Sequence, residues 1–171
     1  MMQLRIWHAS RDPYHCAFRM LRILAVKALP MSLDRLRVLD MFLLYPPLLY
    51  RISLPSPVKA QFRELRLEAP ENVFVRLPGT ASIWQDLQLY QSTALTHLGG
   101  RGILRSGEIQ QRRADLNAEL VPEDLWKRVQ WANDQERALM IFLVEGLAPV
   151  PTSGTDNIFK RSALPARGPV L

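Results

Sequence analysis

The chain has 171 residues, 48% of them hydrophobic and 22% charged, which is the composition of a folded globular protein with room for a sizeable core. The single cysteine, Cys16, excludes an internal disulfide framework and suits a reducing cytoplasm, where the chain is expected to reside. The net charge of +6 is unevenly spread: residues 1–60 hold nine Lys or Arg against three Asp, and the remainder balances. Such a surplus suits a phosphate backbone or an acidic partner surface.

The opening MMQLRIWHAS lacks the basic-then-apolar layout of a signal peptide. Residues 3–9 read as a short strand or an extended arm. Asp12 and Pro13 then open an amphipathic helix, with Asp12 as cap and Pro13 at the first helical position. Tyr14, Ala17, Phe18, Leu21, Leu24, Ala25 and Ala28 form its apolar stripe, and Pro30 ends it. Arg11, Arg19, Arg22 and Lys27 lie off that stripe and are candidates for contact with a partner protein.

Leu33 to Leu54 is the stretch on which the rest is expected to pack. Leu36, Leu39 and Leu43 share one helical face, and Val38, Met41, Phe42 and Tyr45 its neighbour. Ser32 is the expected cap, and Pro46 forces an end at Tyr45. The run is shorter than the roughly 20 apolar residues of a membrane span, and it carries four charges early, so no membrane role is expected. Helices follow over Val58–Leu67 and Ala81–Leu98, with a short strand at Val73–Leu77 between them.

Gly99-Gly100 stops the third of these helices. Gly102–Arg105 then reads as a strand, Ser106-Gly107 as a tight turn and Glu108–Ala114 as the returning strand. Its arginines, Arg101, Arg105, Arg112 and Arg113, are candidates for contact with DNA or an acidic partner. A long last helix starts at Pro122 and runs through Leu143. Trp126 and Trp131 point different ways on it, and Trp131 is the candidate partner contact; Trp84 is expected in the core. Pro149, Pro151, Gly154, Pro165, Gly168 and Pro169 argue against any regular element in residues 149–171, which read as a flexible or extended tail.

The fold class expected is mainly α with a small β-hairpin: a winged helix-turn-helix core with flanking helices. Helices at Leu33–Tyr45, Val58–Leu67 and Ala81–Leu98 would be followed by a wing over Ile103–Ala114. The connections 46–57 and 68–80 are long for that motif. The expected divisions are 1–30 (arm and amphipathic helix), 31–147 (core with C-terminal helix) and 148–171 (tail).

Three segments, RDPYHCAFRMLRIL, LDRLRVLDMFLLYPPLLYRISLP and LTHLGGRGIL, together resemble the middle component of bacterial ABC-three-component conflict systems, a group similar to the small LmuC-type subunits of Lamassu anti-phage and anti-plasmid defence. The resemblance covers roughly residues 4–145. It implies a winged-helix core and a non-enzymatic subunit held between an SMC- or Rad50-like ATPase and an effector, often a nuclease, with DNA reached through the complex. It supplies no catalytic residues.

Neither a phosphate-binding GxxxxGK[ST] loop nor paired zinc ligands occur, so no nucleotide, metal or other cofactor is expected. His15 and Cys16 are adjacent and diverge by about 100° on a helix, a poor arrangement for a catalytic pair. The expected function is a non-catalytic subunit of a defence assembly. The alternative is a stand-alone winged-helix DNA-binding regulator, reading bases with Gln85, Gln88 and Gln91 of the third helix. That helix carries no Lys or Arg to anchor phosphates.

Overall fold

The computed structural model describes residues 8–69 and 77–165. The expected strand at Val73–Leu77 lies outside these except for Leu77, and the expected N-terminal strand except for its last two residues, His8 and Ala9. Ala9 instead begins a 3-10 turn, Ala9–Arg11. The architecture is mainly helical with one small antiparallel sheet.

Helix α1, Pro13–Lys27, begins where Asp12 accepts from the amides of Tyr14 and His15 at 2.8 and 3.2 Å, and it ends with Ala28 in the left-handed region at φ 49°. Strand β1, Met31–Ser32, leads into α2, Leu33–Leu44, which Ser32 caps by accepting from the Arg35 amide at 3.2 Å. Ten of the twelve α2 residues are buried, as expected of a central helix. Pro46 has no amide proton to extend the helix, and Pro46–Arg51 winds into a 3-10 turn. Helix α3, Ser56–Glu64, buries only Phe62. Helix α4, Thr80–Gly100, puts Ile83, Trp84, Leu87, Gln91, Ala94, Leu95 and Leu98 inward. Helix α1 is the hub: it packs on α2, α4 and α6 (Glu123–Gln135).

The region expected to be a simple hairpin is built differently. Residues Ser106–Gln110 form a short helix, α5, where a tight turn and returning strand were expected. Gly99 leaves room for Ile109 of this helix against α4: a side chain there would meet the end of the isoleucine, Cδ1, at 2.7 Å. The returning strand shrinks to β2, Arg113–Ala114, and pairs with β1 in the register Met31↔Ala114 and Ser32↔Arg113. The Gly102–Arg105 segment contributes one bridge, Leu104↔Leu116.

The long last helix is broken. After α6, Glu136 leaves helical geometry at φ −119°, ψ 33°; α7, Arg137–Ile141, and a π-turn, Phe142–Leu147, follow. Arg22 is the reason. Its guanidinium donates to the Ala132 carbonyl at 3.1 Å, to Asn133 Oδ1 at 3.0 Å and to Glu136 Oε2 at 2.6 Å, capping the C-terminus of α6 from another helix.

The expectation that no regular element follows Ala148 is also corrected. Helix α8, Ile158–Arg161, is capped by Asn157, which accepts from the amides of Phe159 and Lys160. Val150, Ile158, Phe159 and Leu164 are buried, and the Phe159 and Trp84 rings stand at 73° with centres 5.8 Å apart. Arg161 and Ser53 exchange two hydrogen bonds: the Ser53 amide donates to the Arg161 carbonyl at 3.0 Å, and the Arg161 guanidinium to the Ser53 carbonyl at 2.6 Å. Four buried apolar side chains and the Asn157 cap outweigh Pro149, Pro151 and Gly154.

Candidate functional site

Two of the five residues expected to meet a partner protein are inside the chain. Arg19 is 2% exposed. It donates from Nε and Nη2 to the two carboxylate oxygens of Asp40 at 2.7 and 3.2 Å, and from Nη1 toward His15 Nδ1 at 2.9 Å. Arg22 is 7% exposed and occupied by α6. Both hold helices together, because an Arg in the middle of a packed helix must find acceptors within the fold. Arg11, Lys27 and Trp131 are exposed, Trp131 at 66%. Trp84 is fully buried and Trp126 half-buried.

Asp40 is the centre of a buried polar network joining α1, α2 and α4. Besides Arg19 it accepts from Gln91 Nε2 at 2.9 Å and lies 3.5 Å from Cys16 Sγ. Gln91 Oε1 accepts from Arg37 Nε at 3.0 Å, while its amide also donates to the Arg37 carbonyl. The Arg37 guanidinium lies over the Trp84 ring, 4.7 Å from its centre. Gln91 is therefore a core residue and not a base reader; of the three glutamines proposed for that task, Gln85 alone is exposed.

The adjacent His15 and Cys16 belong to the same network. Burial, and then the Asp40 charge, push the Cys16 thiol far up, which keeps it from being a thiolate nucleophile. Burial, then the Arg19 charge, hold the His15 ring below its ordinary pKa. Since a guanidinium only donates, His15 Nδ1 accepts and is unprotonated there.

The four arginines of the expected wing are all exposed, but three are paired within the fold. Arg105 meets Asp115 at 2.9 Å, Arg112 meets Asp34 at 2.9 Å, and Arg113 meets Glu108 at 3.4 Å. Arg101, at the C-terminus of α4, lines an apolar hollow of about 220 Å³ with Tyr14, Phe18, Leu98 and Leu125. Tyr14 is 66% exposed, and its ring packs 5.4 Å from that of His97 at the same hollow. An exposed tyrosine over half-buried Phe18 and Leu125, beside a cation, suits protein contact better than a phosphate backbone.

A profile described as MC5, ABC-three component (ABC-3C) system Middle Component 5, matches residues 5–167. The chain belongs to that family. The match spans nearly all of this chain, including the C-terminal segment that the sequence resemblance did not cover. No curated protein and no solved structure matches it. The family implies partner subunits and supports an accessory role in a multi-component defence system. Among the described residues, the middle component has no helix long and apolar enough to cross a membrane, and no group of three or more His, Cys, Asp or Glu placed to hold a metal ion.

Proposed function

We propose that this middle component is a non-catalytic, cytoplasmic subunit of an anti-phage or anti-plasmid complex of the Lamassu type. In this reading it bridges an SMC- or Rad50-like ATPase and an effector nuclease. The family match over residues 5–167 carries the proposal. The geometry agrees with it: the most reactive-looking side chains, His15 and Cys16, are committed to the helix-packing network around Asp40, and exposed aromatics stand on two separate helices, Tyr14 on α1 and Trp131 on α6.

The winged-helix element of the reading is supported by strand order. Strand β1 lies between α1 and α2 and pairs with β2, which follows α4; Leu116, just beyond β2, bridges Leu104. The two-stranded sheet and the bridge beside it fit a winged helix whose three helices are α1, α2 and α4, with α3, expected as the second helix, carried instead as an insertion. The stand-alone regulator is disfavoured, because Gln91 is internal and three wing arginines are paired.

Co-expression with the ATPase-like and effector subunits encoded beside it tests the proposal. The expected result is one complex containing all three chains. A middle component that elutes alone while its neighbours assemble without it overturns the bridging role.

A further inference from the structure

The surface of α6, α7 and the π-turn carries two adjoining clefts that share Ile141 and Glu145 along a common edge. The larger, about 540 Å³, lies between α1 and α6–α7 and is lined by Trp126, Met140, Asp134 and Arg137 among others. The smaller, about 400 Å³, lies against α3 and is lined by Leu65 and Glu64. Ile141, on the shared edge, is 45% exposed.

The charge here runs against the chain's. The chain carries +6, yet these clefts are lined by three carboxylates and one guanidinium. Arg137 is paired with Asp134 at 3.3 Å. Glu64 and Glu145 are exposed and have no basic partner among the described residues. Two uncompensated carboxylates beside an exposed isoleucine, over a surface two clefts long, complement an occupant with an apolar stripe flanked by cations. The helix geometry here is also irregular, as π-turns at functional sites often are.

We propose that this face docks a basic amphipathic helix of a partner subunit, with apolar side chains seated on either side of Ile141 and Lys or Arg side chains meeting Glu64 and Glu145. The proposal rests on the reading above that partner subunits exist. It gives the middle component a docking surface separate from the Tyr14 and Arg101 hollow, as a bridge between two proteins requires.

The test is the variant Glu64→Lys/Glu145→Lys in the full-length chain. Both positions are exposed, so its circular dichroism and melting should match wild type. Co-expressed with both neighbouring subunits, it should lose one and keep the other. In parallel, fluorescence anisotropy should show a synthetic Leu/Lys amphipathic peptide binding wild type about tenfold more tightly than its Leu/Glu counterpart. That preference should vanish in the variant and weaken with salt. Equal binding of the two peptides, or retention of both subunits by the folded variant, overturns the inference while leaving the proposed function standing. Failure of wild type to join any complex refutes the proposed function, and the peptide result then judges the docking face alone. A wild-type homodimer dispersed by the same substitutions assigns the face to a second copy and overturns the partner helix.

Discussion

Asp40 is the position where one substitution should cost most. Its carboxylate is fully buried and accepts from Arg19 twice and from Gln91 once. Asp40→Ala deletes the acceptor and leaves Arg19, 2% exposed, as a cation with its main partner gone. Breaking one side of a buried ion pair costs about 3–5 kcal/mol, because the remaining charge stays desolvated. For a domain of this size, about 2–4 °C of melting temperature is lost per kcal/mol, so a fall of roughly 6–20 °C is expected. Urea unfolding and thermal melting, both followed by tryptophan fluorescence, measure the two figures, with Trp84 reporting the network through Arg37. Replacing both members of the pair, Arg19→Met with Asp40→Leu, should recover part of the loss, since no unpaired ion is then buried. A loss below about 1 kcal/mol for Asp40→Ala, or a double variant less stable than Asp40→Leu alone, would refute this account of the network.

Three further outcomes follow from the same packing. His15 has a folded pKa below the ordinary 6.5, so its contribution is fully present above 6.5 and is lost as pH falls from there toward the lowered folded value; urea midpoints measured from pH 8 to pH 5 should drop in wild type and drop less in His15→Gln. Cys16 is buried and its thiol is pushed far up, so Ellman's reagent at pH 8 should label the native chain no faster than it unfolds, and the urea-unfolded chain at once. Phe159→Ala removes a buried ring from the Trp84 edge and should cost about 3–5 kcal/mol; an unchanged urea midpoint would mean the C-terminal segment is not part of the cooperative fold.

Local signals located most helix boundaries. Asp12-Pro13, Ser32 and Pro46 each mark an end through a hydrogen bond made or forbidden within a few residues, and these ends fall where expected. The features that escaped notice depend on distant partners. The break at Glu136 is set by Arg22, 114 residues earlier, and no local breaker announces it. The anchoring of the C-terminal segment depends on Ile158, Phe159 and Leu164, too few and too irregularly spaced to show a period, meeting Trp84 of α4. The short helix at Ser106–Gln110 sets Ile109 against Gly99 of α4, a contact that no local pattern announces. Of the candidate contact residues, Arg11, Lys27, Trp131 and the four wing arginines are at the surface, while Arg19 and Arg22 are not. A single helix read alone shows which residues leave its apolar stripe, but not whether a second helix covers them with acceptors.

The buried arginines change what the charge surplus means. Of the nine basic residues in the first sixty, Arg19, Arg22 and Arg37 are buried and bonded, each to a different part of the chain. The surplus is therefore not one cationic face. Part of it is internal wiring whose geometry fixes helix register: moving α4 one residue along its axis turns Gln91 by about 100°, which takes one donor from Asp40, still held by Arg19, and the acceptor from Arg37 Nε. A purely apolar interface between α1, α2 and α4 would tolerate such a slip more readily, as a buried polar residue specifies register where leucines do not. The bridging role proposed above calls for helices locked in one arrangement, and the network around Asp40 locks α1, α2 and α4 to one another.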